Sequence, residues 1–298
     1  MEIDNNFPTS INCPLKGINA SDCNWTKRRG GVRDAKGVGV VECSLCGLVT
    51  HEKDLASNVN YESGTMHDWA GQYGGILENP VEDITRRVDK IRTLSEKFKI
   101  NSILDYGCGH GEMLQALGEF YEVHGLEPDD NSRIVSKSLG FSVYADYNEV
   151  AKYNRKFSLI SLFHVIEHFY DPSKEIKRIH NLLEPNGLLV IETPNANDAL
   201  LELFESSGFQ KFTYWSHHPM LHSSNSLNEV IKSNGFTIVE STFAQRYGLA
   251  NHLYWLSKGE PGGHVVWGEL FAKSQFSNYD DKLIEIGLAD TLWLVAQK

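Results

Sequence analysis

The chain has 298 residues, 41% of them apolar, and a formal net charge of −11. That length suits one large domain with appendages, and the apolar fraction is enough for a sizeable core. The acidic balance argues against a sequence-independent grip on nucleic-acid phosphates, and no apolar run reaches the roughly 18 residues that a membrane span needs. Residues 1–30, with Asn5-Asn6, Pro8 and Asp22, lack the apolar centre of a secretory signal, so a cytoplasmic location is expected.

Four of the five cysteines, Cys13, Cys23, Cys43 and Cys46, fall near the start; the fifth is Cys108. An odd count and a Cys-x-x-Cys spacing do not make a secreted disulfide framework. Val40 to Val49 reads as strand, thiol-bearing knuckle, strand, and Cys43 and Cys46 can point two sulfurs at one tetrahedral zinc ion. Cys13-Pro14-Leu15-Lys16-Gly17 outlines a second knuckle with lysine at the second ligand position. Cys23 is therefore expected to complete the set, with His51 a weaker candidate. A ribbon that keeps its shape without metal is the alternative. Tyr61 to Trp69 then forms a loop whose Tyr61 and His67 suit a lid over bound ligand, or an ordered linker.

Pro80 at a helix start, followed by Ile84, Val88, Ile91, Leu94 and Phe98, predicts a helix with one apolar stripe. Its Arg86-Arg87 pair is expected on a solvated face. Next come a buried strand ending at Asp105, a turn with Gly107, Gly109 and Gly111, and a helix through Met113, Leu114 and Leu117. A second strand, Tyr121–Leu126, ends at Glu127, 22 residues after Asp105. An acid at that distance can accept from both hydroxyls of a ribose. The glycine spacing differs from that of a dinucleotide turn, which wants its third glycine three residues after the second. A third strand, Phe141–Tyr144, leads to Asp146-Tyr147.

Phe157–Phe163 is a strand running into His164-Val165-Ile166-Glu167-His168. Asp171-Pro172 opens a helix, Pro185-Asn186-Gly187 turns into the strand Leu188–Glu192, and Thr193-Pro194-Asn195 follows. A helix with Leu227, Val230 and Ile231 ends at Gly235 before a strand over 236–239, and Thr291–Ala296 is the last strand.

Taken in order, these landmarks resemble the class I S-adenosylmethionine (SAM) methyltransferases over about residues 100–245 and again at the last strand. The cysteine-bearing start is similar to that of bacterial methyltransferases acting on sugars and surface glycans, departing from their pattern at Lys16. The resemblance implies an α/β, Rossmann-like, seven-stranded, mostly parallel sheet with helices on both faces. It divides the chain into a small β-rich module and linker at 1–75 and a methyltransferase domain at 76–298, with a helical insertion at about 246–288. It implies SAM as cofactor. Asp105, Gly107, Gly109 and Gly111 would serve the amino-acid end, Glu127 the ribose, and Asp146 and Tyr147 the adenine, with Phe163 also against the cofactor.

The histidine-rich turn admits three readings. As His-x-x-Glu-His it matches an inverted zinc-protease motif, but that motif belongs inside a helix and here it follows a strand. It also resembles the Glu-x-x-Glu-His turn of ubiquinone-biosynthesis O-methyltransferases, which can hold a divalent ion, although His164 replaces the first glutamate. The third reading makes His168 or His164 a general base, with His217 and His218 of the run Trp215–His222 as further candidates. Arg246, Tyr247, Asn251 and His252 of the insertion suit a polar acceptor, Arg246 by holding an anionic group bidentately.

The expected reaction is O-methylation of a nucleotide-linked sugar or phosphorylated carbohydrate used for surface polysaccharide, with no nucleic-acid partner. N- or C-methylation of a sugar, an NAD-dependent sugar-nucleotide oxidoreductase and a non-catalytic SAM-fold binding protein are the alternatives. The oxidoreductase lacks its glycine spacing and a Tyr-x-x-x-Lys pair.

Overall fold

The computed structural model describes Cys13, residues 23–55 and residues 80–298. Tyr61 and His67 lie outside the described residues. A small antiparallel sheet is built from β1 (Trp25–Gly31), β2 (Gly39–Cys43) and β3 (Val49–His51), joined at its edge by β9 (Met220–Leu221). The thiol knuckle joins β2 to β3. Its turn closes through Gly47 N donating to Cys43 O at 2.8 Å, with Gly47 at φ +70°. Strand β9 was not anticipated: two residues inside a histidine-rich run carry no alternation that could be read.

The large sheet has the order β10-β11-β8-β7-β4-β5-β6, where β4 is Ser102–Tyr106, β5 Glu122–Leu126, β6 Ser142–Tyr144, β7 Phe157–Phe163, β8 Leu183–Pro194, β10 Thr237–Ala244 and β11 Thr291–Gln297. The pairs from β8 across to β6 are parallel, and β11 runs antiparallel to both neighbours. This is the expected seven-stranded, mostly parallel sheet. Every residue of β4 and β7 is buried, as parallel strands covered on both faces must be.

Successive strand residues point to opposite faces, so the sheet feeds two cores. Ile103, Leu159, Val190 and Trp293 pack with Ile91 of the helix Pro80–Ser95 and with Leu114. Their sequence neighbours Leu104, Ile160, Ile191 and Leu292 pack with Ile176 and Val230 on the other side. The helix Pro172–Leu182 starts as its sequence dictates, with Asp171 accepting from Lys174 N and a proline in the first turn. The Pro185-Asn186-Gly187 turn sits within β8, where the register with β7 slips and Asn186 takes φ +64°.

Between β10 and β11 the insertion folds into helices Leu249–Lys258, Gly263–Val266 and Ser277–Glu285. Among the described residues, no helix is long and apolar enough to cross a membrane. From β4 the chain moves outward to β5 and β6, then crosses back to β7 on the opposite side of β4. That reversal leaves a crevice at the carboxyl ends of β4 and β7, the place where open α/β sheets bind ligands.

Candidate active site

At the end of β4, Gly107, Gly109 and Gly111 have φ of +84°, +52° and +91°, a region that side chains with a Cβ rarely enter. A Cβ on Gly107 would lie 2.5 Å from Val165 Cγ2, whereas one on Gly109 would meet open space. Gly107 thus permits the turn to pack, and Gly109 leaves a clear approach for a ligand. Glu127 follows β5; its Oε2 accepts from Gly109 N and its Oε1 from Asp129 N, both at 2.9 Å. These bonds fix the carboxylate against the glycine turn.

Asp105 is buried and accepts from Ser161 Oγ at 2.7 Å. Burial pushes its carboxyl up to about 6 despite that bond and the charge of Arg87. A carboxylate so poorly solvated gains from any cation placed beside it. Open space at Gly109, a fixed acid at Glu127 and an unsolvated acid at Asp105 fit a ligand with a ribose diol and a positive charge.

Asp146 is exposed and spends Oδ1 on Glu149 N at 2.8 Å, capping the helix Tyr147–Lys152. Tyr147 carries Arg178 over its ring at 5.2 Å. Phe163 differs from expectation: its ring packs on Arg87 and Trp293 inside the core.

Around His164 the structure corrects two expectations. Arg86 and Arg87 are not on a solvated face. Both donate to Glu192, a fully buried acid at the end of β8, with Arg87 Nη2 at 2.7 Å and Arg86 Nη1 at 2.5 Å. Arg246 does engage a carboxylate bidentately, but that carboxylate is Asp83 of the same chain, and Arg246 Nη1 lies 2.8 Å from His164 Nε2. Burial would raise Glu192, yet the bonds from His164, Arg87 and Arg86 hold it well below the usual carboxylate range. Charges this dense survive burial only when mutually paired.

His252 is likewise internal. It is 1% exposed, with Nδ1 bonded to Tyr279 Oη at 2.6 Å, and Asn251 is buried beside it. Tyr247 is half-buried against His264, its backbone N donating to Asp290 at 2.9 Å. Helical periodicity cannot say which polar residues turn inward, and here the insertion uses them to hold itself together.

At the other side of the turn, His164 adopts φ +56°, a conformation costly for a non-glycine residue and found where surrounding contacts enforce it. Its N donates to Glu192 O at 2.8 Å, and its ring lies between Glu192 and Glu167. Glu167 is 1% exposed and accepts from Thr193 Oγ1 at 2.9 Å. Burial alone would raise it, but the bond and charge of His164, with help from His168 and His218, hold it at about 2.

His168 Nδ1 lies 2.6 Å from the carbonyl oxygen of His217. A carbonyl only accepts, so Nδ1 carries the hydrogen and the neutral ring has its lone pair on Nε2. His218 Nδ1 faces Thr213 O at 3.2 Å in the same way, and burial holds His218 down at about 3. One ring nitrogen of each and one Glu167 oxygen lie within 4.8 Å of one another. His217 stacks on Trp215 at 4.2 Å and bonds Ser216 Oγ.

In the small sheet, Cys13 Sγ lies 3.7 Å from both Cys43 Sγ and Cys46 Sγ, and the sulfurs of Cys13, Cys23 and Cys43 are within 4.8 Å of one another. His51 is elsewhere, bonded to the backbone of Trp215 and held at about 4 by burial.

A family model described as a methyltransferase domain matches residues 81–241, which span the glycine turn, Glu127, the histidine turn and Glu192. The chain belongs to the SAM-dependent methyltransferases. It is 28% identical over 120 residues to a ubiquinone biosynthesis O-methyltransferase from Proteus mirabilis, covering 37% of this chain and 49% of that one. A counterpart from Actinobacillus pleuropneumoniae serotype 7 is 29% identical over 149 residues, 45% of this chain and 61% of its own. The chain thus spans about half the length of the curated relatives it matches. Among solved structures, it is similar to a SAM-dependent methyltransferase from Archaeoglobus fulgidus, with TM-score 0.49 and 18% identity, covering 72% of this chain and 94% of that one.

Several groups of this methyltransferase were missed in the sequence. Glu192 carried the clearest signal, an acid closing the apolar run Leu188–Ile191 at the ligand-binding end of a strand. Asp83 and Asp34 carried none, because their partners Arg246 and Ser216 are more than 160 residues away.

Proposed function

We propose that the enzyme transfers the methyl group of SAM to a hydroxyl oxygen of a nucleotide-linked sugar or other phosphorylated carbohydrate used for surface polysaccharide, in the cytoplasm, with His168 as general base. The observation that carries this reading is the 2.6 Å bond from His168 Nδ1 to His217 O, which sets the lone pair on Nε2. SAM supplies a methyl already activated on its sulfonium. Asp105 and the turn Gly107–Gly111 position its amino-acid end, Glu127 its ribose, and Asp146 with Tyr147 its adenine. His168 Nε2 would remove the acceptor's hydroxyl proton as the oxygen bonds to the methyl carbon and the carbon–sulfur bond breaks, its electron pair staying on the sulfur of the departing S-adenosylhomocysteine. Ionised Glu167 would stabilise the imidazolium that results.

One feature supports O-methylation and a second an anionic acceptor. Relatives that share this domain are named for O-methylation. A cavity of about 630 Å³ beside the histidine loop is lined by Lys27, Arg28, Arg33 and Lys211 and by Glu52, an excess of cationic side chains even though Lys27 pairs with Glu52 and Arg28 with Glu202. Arg33 lies over Trp215 at 4.5 Å. Calorimetric titration should give binding heat for SAM and none for NAD or NADP. A screen of nucleotide-sugars and sugar phosphates with labelled SAM should yield a product. Labelling of a ubiquinone-biosynthesis acceptor and of no carbohydrate would transfer the acceptor class to that of the relatives. His168→Ala should lower turnover on the order of 10²-fold or more with little change in SAM affinity; unchanged turnover would remove His168 as the base.

A second reading concerns the thiols. Cys13, Cys23, Cys43 and Cys46 are read as holding a structural zinc ion, because a tetrahedron with Zn–S of about 2.3 Å has edges of about 3.8 Å, close to the 3.7 Å separations. Metal analysis of the purified protein should find about one zinc per chain; a content well below that would leave a metal-free ribbon.

A further inference from the structure

The turn between β1 and β2 reaches the histidine loop. Arg33 N donates to Tyr214 O and Arg33 Nη1 to Phe212 O, both at 3.0 Å. Beside it, Asp34 Oδ1 accepts from Ser216 N at 3.0 Å and Oδ2 accepts from Ser216 Oγ. Tyr170 Oη donates to the carbonyl of the same serine at 3.1 Å. Ser216 is thus held at its nitrogen, hydroxyl and carbonyl, and the next residue, His217, presents the carbonyl that receives His168 Nδ1. Burial would raise Asp34, but the two bonds from Ser216 outweigh it and keep the carboxyl below its usual range, so it is a charged acceptor at neutral pH. Charged acceptors make the stronger hydrogen bonds.

We propose that Asp34, in the N-terminal sheet, is a positioning residue for the methyltransferase reaction: by fixing Ser216 it aims the His217 carbonyl at His168 and sets which nitrogen of that ring takes the acceptor's proton. This deepens the reading of His168 as base and rests on it. The path runs from the N-terminal sheet to the histidine turn through Asp34, Ser216, His217 and His168. It gives the N-terminal sheet a task in the chemistry beyond holding thiols. An imidazole without such a partner prefers its hydrogen on Nε2, the tautomer in which Nε2 cannot act as base.

The test needs no acceptor. In protein labelled with ¹⁵N histidine, the His168 signals, assigned by their loss in His168→Gln, should report hydrogen on Nδ1 in the native enzyme. In Asp34→Asn, which turns an acceptor oxygen into a donor facing Ser216, the same ring should shift toward the Nε2–H form while SAM titration stays native. Should Asp34→Asn fail to fold, Ser216→Ala must move the signal in the same direction by a smaller amount. A folded variant of either kind with an unchanged Nδ1–H signal overturns the proposal, as does an Nε2–H signal in the native protein. Once an acceptor is in hand, Asp34→Asn should lower kcat about tenfold with KM for SAM unchanged. Native turnover in His168→Ala would instead sink the base assignment, leaving the tautomer result to stand or fall separately.

Discussion

The glycine turn and the histidine cluster face one crevice but are assembled differently. Asp105, the three glycines and Glu127 lie within residues 105–127, on two adjacent parallel strands and the turn between them. The cluster around His164 and His168 draws on Asp83, Arg86, Arg87, Glu192, His217, His218 and Arg246, from four stretches besides its own. The first arrangement is fixed by local backbone geometry. The second exists only after the sheet and both sets of helices have closed, and it is held by buried charges whose worth depends on every partner being present. A site of the first kind should fail one contact at a time, and one of the second kind should fail as a unit.

Three measurements would break or sharpen that contrast. The largest effect is expected at Glu192→Gln, which takes the counter-charge from Arg87 and leaves Arg86 only Asp83, which it shares with Arg246. Removing one partner of a buried pair costs about 3–5 kcal/mol, so thermal unfolding should shift by roughly 10 °C for a chain of this size; a shift under 2 °C would mean the network is not holding the fold. Next comes Glu127→Ala. Loss of two hydroxyl bonds to a charged acceptor should weaken SAM binding about tenfold or more by calorimetry, with the histidine cluster and the melting temperature little changed. Smallest is a pH effect. Asp105 has its folded pKa raised to about 6 from 3.8, so the free protein binds its proton more tightly than the unfolded chain. Stability should therefore fall as pH rises from about 4 through 6. SAM affinity should run the other way, dropping a few-fold as pH falls below about 6 and the carboxylate that faces the cation is neutralised. A flat affinity between pH 5 and 7 would place that cation elsewhere.

The same contrast explains what could be read in advance. Strand, turn and helix signals around Asp105 are local, and the fold's order followed from them: β4 to β7 appear where apolar runs put them, whereas β8 begins at Leu183, ahead of the Pro-Asn-Gly turn expected to precede it. Glu127 was legible because a βαβ unit has a nearly fixed length. The insertion was legible as helical but not by residue. His252 and Arg246 look the same in a sequence whether they meet a ligand or, as here, Tyr279 and Asp83. Arg86 and Arg87 share a helix with acids, which reads as a solvated face until Glu192 arrives from over 100 residues away. The four thiols were expected together from spacing alone, and Cys13 does reach Cys43 and Cys46.

Strand β9 places Met220 and Leu221 in the small sheet, pairing with Thr50 and Val49, while Thr50 Oγ1 donates to Pro219 O and Ser223 Oγ to Cys46 O. The boundary suggested by the linear order of the chain is therefore not a seam along which the molecule can be cut. Anyone exchanging the N-terminal part for that of a relative would have to carry residues 212–223 with it, and the donor's histidine loop would travel along. The histidine loop and the thiol-bearing ribbon would then be inherited as one cassette, with the glycine turn left behind.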